Sequence, residues 1–68
     1  MGFNKRFIDI NTINRYLEGK EKLDILFKAD ALIFMDDIAS KVYKWYTNKL
    51  TDEEIKLKIK ELNEFPKN

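Results

Sequence analysis

The chain has 68 residues, of which 13 are basic and 12 are acidic, and its formal net charge is +1. A chain this short forms one domain, and a charge this close to neutral gives it no overall attraction to nucleic-acid phosphates. Cysteine and histidine are both absent, which excludes disulfides and the usual zinc ligands and removes the commonest general base and the thiol nucleophile.

The remaining candidates for catalysis are weak. Ser40 is the only serine, and it would need Lys41 or Lys44 as its base, whereas surface lysines stay protonated. The acidic residues do not follow the spacing of a calcium-binding loop, and there is no glycine-rich phosphate loop. The longest uncharged apolar run, residues 31–35, is far shorter than the ~20 residues that cross a membrane. We therefore expect a soluble protein that is not an enzyme and uses no cofactor or metal, and the lack of cysteine favours the cytoplasm.

The N-terminal part of the chain predicts an extended end followed by a short helix. Residues 1–8 are expected to be extended or frayed, since polar residues interrupt the apolar ones. A helix is predicted at 10–18, because its apolar residues share one helical face: Ile10, Ile13 and Leu17. Gly19 follows as the residue expected to end this helix.

The middle of the chain predicts one long helix, or two nearly collinear ones, over residues 20–48. No proline or glycine interrupts it, and its apolar residues repeat every three or four positions. The sequence leaves open whether this helix is continuous or broken by a kink near Met35–Asp37. One apolar stripe comprises Phe27, Ala31, Phe34, Ile38, Val42 and Trp45. A second stripe on another side comprises Ile25, Leu32, Ala39, Tyr43, Tyr46 and Leu50.

The clearest local signal is at Thr51. Its hydroxyl is expected to accept a hydrogen bond from the amide of Glu54, whose carboxylate bonds back to the amide of Thr51, which is a capping box. A helix is predicted from here over residues 52–64, and Pro66 stands just beyond its end. Residues 65–68 are expected to be frayed.

These elements predict an all-α fold, a single domain over residues 1–68 with a long central helix flanked by two shorter ones. A helix that is apolar on two sides needs a cover on each side. Because the two flanking helices are shorter than the central one, some apolar surface should remain open. We expect that surface to be a binding site for another protein or a homodimer interface.

The favoured function is a protein–protein interaction module that acts as a small regulator, inhibitor or assembly subunit, as small chains from phages and mobile elements do. Tyr43 and Tyr46 are the strongest interface candidates, because aromatic residues dominate binding hot spots. Leu32, Leu50 and Trp45 extend this surface, although the helical phase of Trp45 also fits a place in the core.

The alternative function is a small dimeric nucleic-acid-binding protein. Lys41, Lys44 and Lys49 lie among aromatic residues that could stack on bases. In a ribbon–helix–helix version of this hypothesis, residues 6–10 would form a strand that pairs with a second copy. Acidic residues on both sides of the lysines weaken it, since they would repel phosphates.

Overall fold

The computed structural model describes residues 3–63, and the side chains of residues 3–62. The elements are, in chain order, β1 (Lys5–Ile8), α1 (Ile10–Leu17), α2 (Leu23–Leu26), β2 (Ala31–Phe34), α3 (Asp37–Thr47) and α4 (Asp52–Asn63). The two strands pair with each other. The fold is therefore α+β, and the all-α prediction is wrong.

The sheet has two parallel strands, with Lys5 opposite Ala31 and Ile8 opposite Phe34. Parallel strands require a crossover connection, which α1 and α2 supply here. The helices lie on the sheet face that carries the buried Ile8, where α1 contacts β1, α3 contacts β2, and α4 packs on α3.

The long central helix predicted over residues 20–48 is not formed. The chain makes the short helix α2, turns at residues 28–30, and enters β2 before α3 begins. Residues 31–34 are an uncharged run with an isoleucine and a phenylalanine, a composition that also suits a strand. The strand forms because it has a partner in β1, whose residues the prediction placed in an extended or frayed end at 1–8.

Two aspartates hold the strands in place from outside the sheet. Asp30 Oδ2 accepts a hydrogen bond of 2.8 Å from the amide of Asn4, and Asp36 Oδ2 accepts one of 3.1 Å from the amide of Ile10. Each bond joins positions 26 residues apart. The boundary between β2 and α3 falls at Met35–Asp37, where the sequence left open a kink in the predicted long helix.

The prediction of a helix at 10–18 is confirmed, since α1 covers Ile10–Leu17. The side chain of Asp9 caps its start by accepting a hydrogen bond of 3.0 Å from the Thr12 amide. The hydrogen bonds from Thr12 hold the pKa of Asp9 below its usual value. Gly19 ends the helix with a φ of +81°, a left-handed conformation that glycine adopts without strain.

The capping box at Thr51 is also confirmed. The Glu54 amide donates to Thr51 Oγ1 over 3.1 Å, and the Thr51 amide donates to Glu54 Oε1 over 3.0 Å. Helix α4 begins at Asp52 as expected. Its predicted last residue, 64, and the predicted frayed end at 65–68 lie outside the described residues.

One apolar core joins the helices and strands. Its buried members are Ile8, Ile13, Tyr16, Leu23, Leu26, Phe27, Ala39, Val42, Ile55 and Ile59. Of the apolar face predicted for α1, Ile13 is buried in this core, Leu17 packs against it, and Ile10 is exposed. Within residues 3–63, no helix covers the outer face of the sheet.

Candidate functional site

The two tyrosines predicted to bind a partner pack against their own chain. Tyr43 is half-buried, and its ring meets Phe27 edge-on at a centroid distance of 5.0 Å and Phe34 at 5.2 Å. Tyr46 lies 5.2 Å from Phe27. Its hydroxyl donates a hydrogen bond of 3.0 Å to Asp24 Oδ1, which raises the pKa of the Tyr46 hydroxyl. Most of this aromatic area is therefore shared within the molecule.

The other three predicted partner-binding residues are divided between two regions. Leu32 belongs to β2, whereas Trp45 and Leu50 lie on and just after α3, and all three are half-buried against the core. The Nζ atom of Lys58 lies 5.7 Å from the centre of the Trp45 ring, within cation–π range. Two members of the predicted set, Tyr46 and Leu50, line the same cavity.

That cavity, which we name the α2–α4 cavity, has a volume of about 240 Å³. Sites for cofactors and other large ligands usually occupy about 300–1,000 Å³, so this one suits a smaller group. The lining residues are Lys22, Leu23, Asp24, Tyr46, Leu50, Asp52 and Ile55.

The three lysines proposed to contact nucleic acid are all exposed. Lys41 forms an ion pair of 3.4 Å with Asp37, one turn earlier on α3. Lys49 lies beyond the end of α3, with a φ of 68°. Nothing in this arrangement tests nucleic-acid binding, which stays a prediction.

The sequence did not reveal the outer sheet face, which we define by Lys5, Phe7, Ala31 and Ile33. Alternate residues of a strand point to opposite faces, and Phe7 stands opposite Ile33 in the register. Because Ile8 points into the core, Phe7 points outwards, where 56% of its area is exposed. Phe3 and Met35, just beyond the strands, are 71% and 57% exposed. Residues 5–8 are two charged residues followed by two apolar ones, so the sequence lacks the polar–apolar alternation that would have identified this face.

The free edge of β2 is the second feature of this region. The Ala31 amide donates to Asn4 and the Met35 amide to Ile8, so odd-numbered residues of β2 turn their backbone groups towards β1. The backbone groups of Leu32 and Phe34 therefore point away from β1. Within residues 3–63, neither amide donates to a backbone carbonyl in a turn, loop or cap.

The two strands differ in the protection of their edges. Strand β1 carries Lys5 and Arg6, and charged residues, lysine especially, discourage other chains from pairing with an edge. Strand β2 has no charged residue. The charged residues Asp30 and Asp36 lie just outside the two ends of this strand.

Comparison of this chain with protein-family models, with curated proteins and with solved structures gave no match. In the part of the chain that the structure describes, no helix has the length and apolar character needed to span a membrane. The same residues contain no group of three or more carboxylates or other side chains placed to bind a metal ion.

Proposed function

We propose that this chain is a non-catalytic interaction module that binds an extended segment of another protein along the free edge of β2. The observation that carries the proposal is the open backbone edge at Leu32 and Phe34, on a strand without charge. Such a module would act as a regulator, an inhibitor or an assembly subunit, because binding at a sheet edge requires no chemistry beyond hydrogen bonding and packing.

The free energy for this binding comes from groups that the fold leaves unsatisfied. Leu32 and Phe34 each offer one amide and one carbonyl, and each hydrogen bond formed there contributes about 1 kcal/mol. A two-stranded sheet is marginal by itself, and parallel sheets are normally covered on both faces. A third strand widens the sheet and also covers apolar area at Ile33 and Met35.

The side chains behind the edge strengthen the proposal. Phe34 is half-buried and its ring rests on Tyr43, at a centroid distance of 5.2 Å. Tyr43 in turn rests on the buried Phe27. These ring contacts restrain the Phe34 side chain, so little of its conformational entropy would be lost when a partner strand is added. Tyr43 thus supports binding from behind the strand rather than by direct contact.

The charges around β2 favour a partner segment that is apolar in its centre and basic near its ends. Asp30 and Asp36 stand at opposite ends of the strand. A second copy of this chain fits less well. In an antiparallel pair centred on Ile33, which would join the free groups of Leu32 to those of Phe34, Asp30 would stand opposite Asp36 of the second copy. Like charges in this position destabilise a sheet.

The test compares two short extended peptides with the same valine-rich centre, one with lysine and one with glutamate at its ends. We expect the lysine-ended peptide to bind at least about tenfold more tightly at low salt, and the difference to shrink as salt is added. Amide hydrogen exchange then locates the site. The Leu32 and Phe34 amides should exchange more slowly in the complex, while the outward amides of Lys5 and Phe7 on β1 serve as internal controls.

Ile33→Lys should weaken peptide binding, because a lysine on an edge strand opposes pairing. Leu57→Lys is the control on another element, since Leu57 is an apolar residue of α4; it is 57% exposed, whereas Ile33 is half-buried. The proposal is wrong if neither peptide binds, or if protection appears at Lys5 and Phe7 instead. If, without any peptide, the Leu32 and Phe34 amides exchange more slowly as the concentration of the chain rises, the segment that binds the β2 edge belongs to a second copy of this chain.

A further inference from the structure

The α2–α4 cavity combines an apolar floor with two carboxylates at its mouth. Leu23 and Ile55 are almost fully buried, at 4% and 1% exposure, and Leu50 is half-buried beside them. Asp24 and Asp52 are exposed and line the same space. The cavity therefore offers apolar contact and negative charge within one small volume.

Tyrosine hydroxyls hold both carboxylates in fixed positions. Tyr46 donates to Asp24 Oδ1 over 3.0 Å, and Tyr16 donates to Asp52 Oδ1 over 2.9 Å. Each bond uses one carboxylate oxygen and restrains the side chain that carries it. The Oδ2 atom of each aspartate is left to accept a hydrogen bond from a ligand, without the entropy loss of ordering a mobile side chain.

Lys22 sets the charge that this cavity can accept. Two aspartates and one lysine give the lining a net charge of −1. Among the described residues, Lys22 forms no ion pair with either carboxylate. A ligand with a single positive charge would balance the lining, whereas an anion would meet two carboxylates.

We propose that the α2–α4 cavity binds an alkylguanidinium or alkylammonium group. The alkyl chain packs mainly on the half-buried Leu50, beside the buried Leu23 and Ile55, and the cationic head donates to Asp24 and Asp52. A volume of about 240 Å³ accommodates one such group. The group belongs either to a small molecule or to an arginine or lysine side chain of a protein. This site uses none of the residues of the β2 edge, so it stands or falls independently of the proposed function.

The probes are n-butylguanidinium and its neutral near-isostere n-butylurea, added to the whole chain while the methyl resonances of Leu23 and Ile55 are followed by NMR. We expect saturable shifts with the guanidinium and binding at least about tenfold weaker with the urea. Equal affinity of the two probes, or no shift of either methyl group, would overturn the proposal.

Substitutions in the cavity lining distinguish the contribution of charge to ligand binding from that of packing. Asp24→Asn and Asp52→Asn should each weaken butylguanidinium binding by about tenfold, since each keeps the shape and removes one charge. Lys22→Ala should strengthen binding. Asp37→Asn is the control, because Asp37 is an exposed carboxylate on α3 outside the cavity lining, and it should change nothing. An unchanged affinity in both Asp24→Asn and Asp52→Asn would exclude the two carboxylates as the cation site.

A second arm distinguishes the two sources of the ligand. A glycine-rich peptide with one central arginine is compared with butylguanidinium at the same salt concentration. Tighter binding of the peptide, by about tenfold or more, assigns the cavity to an arginine side chain of a partner protein. Equal or weaker binding of the peptide assigns it to a free alkyl cation.

Discussion

The hydroxyl of Tyr16 donates a hydrogen bond of 2.9 Å to Asp52 Oδ1, and it thereby joins α1 to the first turn of α4 across 36 residues of sequence. The Tyr16 ring is almost fully buried, at 3% exposure, and Lys56 Nζ lies 5.2 Å from its centre. This bond fixes the position of α4 on the rest of the fold and also holds one wall of the α2–α4 cavity.

Tyr16→Phe is expected to lower the free energy of unfolding by about 1–2 kcal/mol, because it removes a hydrogen bond to a charged acceptor and leaves the ring in place. Urea denaturation of the unsubstituted protein and of Tyr16→Phe at neutral pH measures this loss of stability. Tyr46→Phe is the matched control, since its hydroxyl bond to Asp24 is exposed and its loss should cost less. A Tyr46→Phe variant that is less stable than Tyr16→Phe would contradict this view.

The stability of the fold should also fall at alkaline pH. Burial, followed by the hydrogen bond to Asp52, raises the pKa of Tyr16 above its ordinary value of 10.0. Above about pH 10 the unfolded chain loses a proton that the folded chain retains, so the contribution of Tyr16 is complete below that pH and is lost as the pH rises further. Urea denaturation from about pH 9 to about pH 11 should show this decline, with a shallower decline in Tyr16→Phe. If stability falls equally steeply with pH in the unsubstituted protein and in Tyr16→Phe, groups other than Tyr16 cause the decline.

Lys49→Gly is expected to stabilise the protein by about 0.5–1 kcal/mol. Lys49 adopts a φ of 68° at the end of α3, a conformation that costs non-glycine residues about 1 kcal/mol or more. The same cap geometry at α1 already uses Gly19. Thermal unfolding should show a rise of several degrees, at about 4–8 °C per kcal/mol for a domain of this size. Lys44→Gly, inside α3, is the control and should destabilise by about 1 kcal/mol. A lower melting temperature for Lys49→Gly would show that the lysine makes a contact that outweighs the strain.

Asp36→Ala should destabilise the protein by about 1 kcal/mol, because it removes the bond from the Ile10 amide that joins the end of β2 to the start of α1. Asp37→Ala is the neighbouring control. Its carboxylate is 88% exposed and pairs only with Lys41 on the surface, so its loss should cost about 0.5 kcal/mol or less. Chemical denaturation of the two variants makes the comparison, and a larger effect at Asp37 would exclude the role given to Asp36.

Local signals were sufficient to predict where α1 ends and where α4 begins. Gly19 ended α1 and Thr51 with Glu54 began α4, as the sequence predicted. These signals involve residues within four positions of one another, so their energies do not depend on the tertiary structure. Tyr46 and Leu50 were chosen as binding residues from their helical phase, and they line the α2–α4 cavity. Their predicted role in binding another protein remains a prediction.

The sequence analysis missed the outer sheet face because it assigned residues 31–34 to a helix. Residues 31–34 have an apolar spacing that continues the helical stripe running from Phe27 to Trp45, and a short apolar run is equally compatible with a helix or a strand. Unless residues 31–34 form a strand, neither the outward position of Phe7 nor the free backbone groups of Leu32 can be inferred. Asp30 and Asp36 fell inside the long helix predicted over residues 20–48, whereas their carboxylates accept hydrogen bonds from the backbone of residues 26 positions away.

The sequence by itself determined that these 68 residues carry no thiol or imidazole group. It also determined the positions of α1 and of the start of α4, because helix capping acts over short distances. Only the tertiary structure decided that residues 31–34 form a strand, since that choice depends on β1, 26 residues earlier in the chain. The free β2 edge and the α2–α4 cavity follow from that long-range pairing and from the packing of α4, which no local pattern encodes.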